Sequence, residues 1–381
     1  MSCVLLRYTL ITMAKQQIEE FICNGREGDE CHAQCHACGA NVEFDPETQS
    51  LNCEFCGATK KVEAIRSQEL DIMKLFAVES GNNWANDAHV FECEGCGARE
   101  VLDKSEMSSS CAFCGKTAVV NTQHIPGIRP NAIVPFRLNK EAALKCLCTW
   151  SKKKFYAPGK FKKMKLRDEE LQGVYTPAFS FDTFTRSFYR GRIGQYYWVT
   201  VRINGKMVSQ RRTRWMNISG GFNANFNEVL IHATEDISKK DSNKLAPFDT
   251  GNSVQYEKNF LRGFAANHYK KDGKQCWAEA RTYIEQRLRQ MILRRYTHDV
   301  VDFFQAQTAY EDIKFKYVLL PVYVGHHHYK KKNYNFFVNG ANGKTVGRYP
   351  KSVPKILATI GIGLLAVGGI ITGIGFALGL F

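Results

Sequence analysis

Between Asn41 and Asn52 apolar and polar residues alternate on either side of a polar turn, Asp45-Pro46-Glu47-Thr48. Alternation at period two sends successive side chains to opposite faces, so the stretch predicts two short antiparallel strands. Residues 64–86 set Leu70, Met73, Leu75 and Phe76 on the apolar side of a helix or linker. Residues 132–138 read as a strand, and Asn139 caps a helix over 140–151 with Glu141 in its first turn. Residues 173–235 are strand-rich: 174–184, 195–203 and 228–233 are β-branched or aromatic runs, and Asn204-Gly205 is a hairpin turn. Residues 253–271 and 274–298 read as two helices. In the second, Trp277, Ala280, Ile284, Leu288, Met291 and Ile292 recur near 3.6 spacing, a core stripe whose opposite face is rich in arginine. Residues 315–324 read as a buried strand that Pro321 places near an edge or bulge. Residues 333–338 and 344–349 pair across the turn at Asn339-Gly340-Ala341-Asn342-Gly343.

The pattern changes once more at the end. Residues 356–381 contain no charge and no proline, and Lys351 and Lys355 stand just before them. A helix of that length covers about 39 Å at ~1.5 Å per residue, enough to cross a hydrocarbon core of about 30 Å. The expectation is a C-terminal transmembrane anchor with its positive flank on the cytosolic side. Gly369-x3-Gly373 and Gly375-x3-Gly379 give the small-residue spacing of helix–helix contacts, so self-association through this glycine-rich helix is a further expectation.

Cysteine spacing adds chemistry to the pattern. Cys35/Cys38, Cys53/Cys56, Cys93/Cys96 and Cys111/Cys114 are four C-x-x-C pairs, each followed at once by glycine (Gly39, Gly57, Gly97, Gly115). Fourteen residues separate the first pair from the second and the third from the fourth, so the unit repeats with a period of 58. Two thiolates at this spacing grip one face of a metal, and the glycine lets the backbone turn beneath them. The reading is two tandem four-cysteine zinc ribbons, each holding one structural Zn²⁺. Cys31, His32 and His36 lie beside the first knuckle as competing ligands, but Cys35 and Cys38 match the second ribbon. Reduced thiolates point to a reducing compartment.

The formal charge of +15 is unevenly spread. Residues 1–125 hold 10 Lys and Arg against 19 Asp and Glu, whereas residues 126–381 hold 42 against 18. An acidic ribbon pair is poorly suited to gripping phosphate, and opposite charge suits it to docking on the basic body or on a basic partner. The basic part has a dense segment with Lys152, Lys153, Lys154, Lys160, Lys162, Lys163, Lys165 and Arg167 among aromatics, and Arg211, Arg212 and Arg214 lie on a return strand. Basic residues interleaved with aromatics suit nucleic acid, anionic lipid or a solvated loop. Two features mislead. Gly340–Thr345 imitates the end of a phosphate loop, but the loop's first glycine position is Val338, so a hairpin turn is the better reading. His326-His327-His328 are consecutive, and three consecutive side chains do not converge on a metal.

The parts divide as an N-terminal extension (1–30, with Met13 as a second start), ribbon one (31–63), a linker (64–89), ribbon two (90–122), a basic domain (130–350) and the anchor (356–381). The fold class expected is α+β: the two ribbons, a mixed α+β domain rich in antiparallel strands, and a transmembrane helix. Cys35-His-Ala-Cys-Gly-Ala-Asn-Val-Glu-Phe-Asp-Pro-Glu-Thr-Gln49, Ile133-Val-Pro-Phe-Arg-Leu138, Gly173-Val-Tyr-Thr-Pro177, Phe260-Leu-Arg-Gly-Phe264 and Tyr317-Val-Leu-Leu-Pro-Val-Tyr323 together resemble a bacterial family of zinc-ribbon proteins with a C-terminal hydrophobic segment, often labelled as similar to the primosomal replication-restart helicase. The likeness covers roughly residues 30–350. It implies the eight cysteines as ligands and a place in the bacterial inner membrane with the bulk of the chain cytoplasmic. The helicase label does not carry over, because the chain has neither a phosphate loop nor an acidic Asp-Glu box. The function expected is a membrane-anchored zinc-ribbon adaptor that binds another macromolecule, a protein partner first. The alternative is a membrane-tethered nucleic-acid binder using the basic domain. No catalytic set announces itself, so an enzyme is not expected.

Overall fold

The computed structural model describes residues 35, 37–78, 89–93, 96, 98–102, 108–111, 113, 117–119, 128–162, 171–204, 206–330 and 332–377. The N-terminal extension, Cys31, His32, His36, Gly97, Cys114, Gly115, Lys163, Lys165 and Arg167 lie outside these residues, as does the linker stretch 79–88.

Ribbon one is a small antiparallel sheet of β1 (Val42–Asp45), β2 (Ser50–Cys53) and β3 (Thr59–Lys61), in that order. Its predicted turn forms because the Asp45 carboxylate accepts from the Glu47 backbone N–H at 3.0 Å, the Thr48 hydroxyl at 2.7 Å and the Asn52 amide at 3.1 Å. The chain continues through β4 (Leu70–Asp71) and the short helix α1 (Ile72–Val78). Leu75 is buried as expected, but Met73 faces solvent. In ribbon two come β5 (His89–Glu92), β6 (Arg99–Leu102), β7 (Ser108–Ser110) and β8 (Thr117–Val119).

The body departs from the α+β expectation: it is mostly β, one curled sheet of eleven strands. After β9 (Ala132–Ile133), helix α2 (Lys140–Lys152) and the turn α3 (Gly159–Lys162), three very long strands dominate. These are β10 (Leu171–Ile203), β11 (Lys206–His232) and β14 (Val300–Tyr329). Between them lie α4 (Lys239–Leu245), β12 (Val254–Gln255), β13 (Ala265–Asn267) and α5 (Gly273–Leu293), and after them β15 (Lys332–Asn339) and β16 (Thr345–Gly347). β10 pairs antiparallel with β11 from Ala178/His232 to Ile203/Lys206 and with β14 from Leu171/Gly325 to Gly194/Val300. At ~3.3 Å per residue β10 is about 110 Å of strand, where five or six residues is usual.

The sequence pattern gives separate runs at 174–184 and 195–203, and the structure carries one strand through the stretch between them, which includes Gly191 and Gly194. A Cβ at Gly191 would meet the Phe303 carbonyl oxygen at 2.8 Å, and one at Gly194 would meet Thr213 Cγ2 at 2.5 Å. These glycines admit close cross-strand neighbours inside a continuous ladder. The stretch 253–271 also differs from its helical reading: it holds β12, a 3-10 turn at Lys258–Leu261 and β13. Helix α5 forms with its predicted core stripe and ends at Leu293, five residues before its predicted end at 298. Asp272 and Gln275 form a reciprocal capping box, and Cys276, Ala280, Ile284, Leu288 and Ile292 are buried. Helix α2 is capped by Asn139, whose side chain accepts from the Ala142 N–H at 2.8 Å. Pro321 sits where the β15 ladder stops: pairing ends at Val322/Asn339, and the Pro321 carbonyl accepts from the Gly340 N–H at 2.9 Å. Gly340–Lys344 is the turn between β15 and β16, with Gly343 at φ +75°, and Thr345 already pairs with Val338.

The sheet has a core on each face, and parity along the strands separates them. Odd positions Tyr175, Phe179, Tyr317 and Leu319 belong to one core, which includes the α5 stripe, Leu147 of α2 and Cys35, Phe44 and Cys53 of ribbon one. Even positions Val174, Ala178, Val318 and Val322 belong to the other, with Ile237, Leu245 and Phe248 around α4 and with Cys93, Cys111 and Phe113 of ribbon two.

The last element is α6 (Val353–Ala377). Its start is tied to the body: the Ser352 N–H donates to the Tyr156 carbonyl at 2.8 Å, and the Lys355 ammonium donates to the carbonyl of Ala157 at 2.8 Å. Among the described residues no helix is long and apolar enough to cross a membrane. This overturns the transmembrane anchor and, with it, the single-pass placement in a bacterial inner membrane. The glycine pairs at 369/373 and 375/379 fall outside the residues whose side chains are described.

Candidate metal centres and basic surface

In ribbon one the hairpin and its knuckles bring four cysteines together. Cys35, Cys38, Cys53 and Cys56 place their sulfurs within 4.8 Å of one another. Cys35 Sγ lies 3.3 Å from Cys56 Sγ, and Cys38 Sγ lies 3.5 Å from Cys53 Sγ. These separations are far beyond a disulfide bond of about 2.05 Å. They approach the ~3.8 Å edge of a tetrahedron with metal–sulfur bonds of about 2.3 Å, so the residues fit a bound metal ion.

The two knuckles are built alike. The Cys35 N–H donates to the Ala40 carbonyl at 2.8 Å, and the Cys53 N–H donates to the Ala58 carbonyl at 2.9 Å. Gly39 and Gly57 both sit at φ +73°, where a side chain is strained. The first cysteine of each knuckle is buried and the second is exposed. The Cys53 thiol is brought down to about 7, first by the Cys56 backbone N–H and then by that of Phe55. Cys56 goes the other way, to about 12: the Ala58 N–H favours its thiolate, but the thiols of Cys35 and Cys53 outweigh it. Four crowded thiols cannot all ionise unaided, and a cation at their centre removes that conflict.

The period of 58 reappears in three dimensions. β8 lies 58 residues after β3, and Cys93 and Cys111 lie 58 after Cys35 and Cys53. Cys93, Cys96 and Cys111 place their sulfurs within 4.8 Å of one another, with Cys96 and Cys111 at 3.5 Å. The Cys93 N–H again donates to the carbonyl five residues on, Ala98, at 2.8 Å. Cys114, the fourth predicted ligand, lies outside the described residues. The four-cysteine and three-cysteine clusters can each hold a metal ion. His326 and His327 are neighbours on β14, whose alternating faces separate them, and they belong to no metal-binding group among the described residues.

The ribbons join the body differently. Phe44 packs edge-on against Phe260 at 5.2 Å, the Phe44 N–H donates to the Arg262 carbonyl at 3.2 Å, and Gln49 reaches the Phe136 carbonyl at 2.7 Å. Ribbon one thus docks as a separate sheet. Ribbon two enters the large sheet itself, because Val101 and Glu100 of β6 pair with Ala266 and Asn267 of β13. The His268 N–H, next in line, donates to the Arg99 carbonyl at 2.9 Å.

The predicted basic residues fall into two places. Lys152, Lys153 and Lys154 end α2, and Lys160 and Lys162 lie on α3. The Lys154 ammonium sits 4.7 Å from the Trp150 ring centre and 5.8 Å from that of Tyr349. Arg211, Arg212 and Arg214 lie far along β11, opposite Trp198, Tyr197 and Gln195. Helix α2 packs near the start of β10, so the two groups are separated by on the order of 60 Å of strand. Neighbouring arginines on a strand also part: Arg211 falls on the even face of β10, and Arg212 and Arg214 fall on the odd face.

The residues that accompany Arg211 were not singled out from the sequence. Arg186, Arg190 and Arg192 occupy even positions of β10, the same face as Arg211. Arg192 lies over the Trp215 ring at 5.1 Å, and Arg211 lies over the Tyr196 ring at 4.2 Å. Arg186 pairs with Glu311 at 3.1 Å, Arg192 with Asp302 at 3.7 Å, and Arg190 donates to the Gln305 amide oxygen at 2.9 Å. Residues 183–227 contain eight Lys and Arg and no Asp or Glu. That run was the available signal, and it shows only when 185–194 is read as strand.

A cavity of about 230 Å³ lies between β11, α4 and α5, with His232, Ser242, Lys271 and Glu279 on its wall. Burial, then the Lys271 charge, pushes the His232 imidazole down to about 4, so it is neutral at pH 7. Glu279 is held between Lys239 and Lys271.

No known family matches the chain, and no solved structure matches it. The chain is similar to the uncharacterized protein YdjG of Bacillus subtilis (strain 168), 24% identical over 335 residues that cover 85% of this chain and 92% of that protein. The likeness supports neither a named family nor the helicase label, and what it shows is a bacterial relative of nearly the same extent.

Proposed function

We propose that the protein is a zinc-stabilised adaptor that binds an anionic macromolecule along its long β-arm and has no catalytic role. The observation that carries this reading is the arm itself: 45 residues, 183–227, with eight cationic side chains and no anionic one, on strands of which the outer part pairs only with each other. A sheet that extends past its own core, at such a cost in solvent-exposed rings, is suited to a partner that supplies the missing charge. The two cysteine clusters would each take one Zn²⁺. Thiolate-only ligands at C-x2-C spacing favour zinc, and four protein ligands leave no open position for chemistry. The metal's part is to hold the ribbons as rigid supports on the two faces of the sheet.

The test uses full-length protein whose zinc content is measured, with two equivalents expected. It is loaded on immobilised heparin, a polyanion without bases, and eluted with salt. Retention is expected, with elution at distinctly lower salt after Arg186→Glu, Arg190→Glu and Arg211→Glu together. Failure to bind at low salt, or elution unchanged by the three substitutions, would remove the arm as a binding surface.

A further inference from the structure

The two faces of the arm are unlike. On the odd face α5 covers the strands as far as Tyr189 and Ile193, which are buried. On the even face the arm is open beyond Asp182, with Arg186, Phe188, Arg190 and Arg192 exposed. Phe188 is 74% exposed there and Trp198 67%, and Tyr196, Trp215 and Phe303 are open as well. Six exposed large side chains, counting Met207, share this face, and the four exposed on the odd face, Tyr197, Ile203, Val208 and Met216, include one aromatic ring against four here beside Phe303. Scattered exposed apolar residues are ordinary, but a continuous run of them among charges marks a contact surface.

Their order along the strand is informative. Phe184, Arg186, Phe188 and Arg190 succeed one another at alternate positions, and Tyr196 and Trp198 continue the row. Same-face neighbours are about 6.6 Å apart, and the row from Phe184 to Trp198 is about 46 Å long. A partner that fits must offer negative charge and flat apolar rings in alternation over that length. An acidic peptide supplies the charge without regular rings. A lipid surface would meet the hairpin end, where Asn204 turns the chain, and leave Phe184 to Arg192 without a role. A single strand of nucleic acid supplies one phosphate and one unstacked base per unit, whereas a duplex buries in its stack the ring faces that such a platform needs.

Resting on the reading of the arm as an anionic-partner surface, we infer that its even face binds single-stranded nucleic acid, with Phe188, Tyr196, Trp198 and Trp215 stacking on bases and Arg186, Arg190, Arg192 and Arg211 meeting phosphates. Arg186, Arg192 and Arg211 already lie against rings, so guanidinium and aromatic planes present themselves to the strand together, and phosphates would compete with Glu311 for Arg186 and with Asp302 for Arg192.

The zinc-loaded full chain is titrated by fluorescence anisotropy with labelled oligo(dT) and oligo(U) of about 20 nucleotides, a site size generous for one sheet. Duplex of the same length, an abasic strand, and vesicles of phosphatidylglycerol in phosphatidylcholine are titrated alongside. The single strands are expected to bind about tenfold or more tighter than the duplex and the abasic strand. Trp198→Ala and Phe188→Ala should each weaken binding by about tenfold without moving the thermal midpoint, and Tyr283→Ala on exposed α5 should not weaken it. A preference for either oligo(dT) or oligo(U) supports the inference and names the source of the strand. Equal affinity for abasic strand or duplex overturns stacking and leaves a general polyanion surface. Vesicle binding without oligonucleotide binding overturns the inference in favour of anionic lipid. Loss of all binding, heparin included, overturns both this inference and the adaptor reading beneath it.

Discussion

The two ribbons share a sequence period, a knuckle geometry and a metal-ligand chemistry, yet they serve opposite faces of one sheet in different ways. Ribbon one keeps its own three strands and docks through Phe44 and Gln49 onto the odd face. Ribbon two commits β6 to the large sheet, where it lies between β13 and β5, and its cysteines join the even-face core. A local motif therefore fixes how four thiols meet, while its surroundings fix what the meeting supports. The first ribbon can come loose as a unit. The second cannot do so without leaving β13 unpaired on one side.

The largest effect that separates them comes from removing a ligand. Cys53→Ser should cost one zinc equivalent and free β1 to β3, since structural zinc binds finger peptides with about 10–16 kcal/mol that becomes folding energy. The large sheet should keep its protection, because ribbon one contributes no strand to it. Cys111→Ser should cost the other equivalent and also raise amide exchange at Ala266 and Asn267, the partners of β6. Exchange data in which both variants leave β13 equally protected would show that the strand pairing does not couple ribbon two to the sheet.

A smaller effect tests the docking of ribbon one with its metal kept. Phe44 is 4% exposed and meets Phe260 edge-on. Phe44→Ala should cost about 3–5 kcal/mol at that seam, the usual range for a buried phenylalanine. Zinc content should stay at two equivalents, because Phe44 is not a ligand. Faster proteolysis within residues 42–62 with unchanged zinc is the expected signature, whereas concurrent loss of one zinc would mean that docking and metal binding are one event.

How far the sequence reveals this comparison depends on range. The knuckles are legible because Cys35 to Cys38 and Gly39 act within one turn, and the hairpin turn is legible because Asp45 bonds residues two to seven positions away. The capping of α2 and α5 is legible for the same reason. The docking faces are not, because they depend on whether a ribbon meets Val174 or its neighbour Tyr175, and nothing near the cysteines records that parity. The length of β10 is hidden because 185–194 falls outside both β-branched or aromatic runs, and its glycines are accounted for only by Phe303 and Thr213 on the neighbouring strands. Hydrophobic spacing misled at 253–271, where tertiary pairing of β12 with β9 and of β13 with β10 overrides a helical pattern. It misled again at 356–381, where uniform apolarity stood in for a span that the described helix does not provide.

The smallest effect separates the ribbons by pH. His268, at the seam of ribbon two, is held down to about 4 by burial against an ordinary value of 6.5, and the nearby Arg99 charge acts in the same direction. Its folded-state value lies below its unfolded one, so the unfolded chain takes up the proton first. The stability this neutral histidine maintains is complete above pH 6.5 and is lost as pH falls towards 4, up to about 3 kcal/mol. Asp45, in ribbon one, is also lowered: burial works against the shift, but the Thr48 hydroxyl, the Glu47 and Thr48 N–H groups and the Asn52 amide outweigh it. Its contribution is present above pH 3.8 and is lost only below that, and solvent near the turn keeps it to about 1 kcal/mol or less. Acidification from pH 7 to 5 should therefore loosen the β6–β13 seam while the Asp45 turn holds. Amide exchange at Ala266 compared with Thr48 reads the difference, and His268→Gln separates it from acid release of zinc by the thiolates. The variant should flatten the dependence at Ala266 between pH 6.5 and 5, and an unchanged slope would move the sensitivity from the histidine to the cysteines of ribbon two.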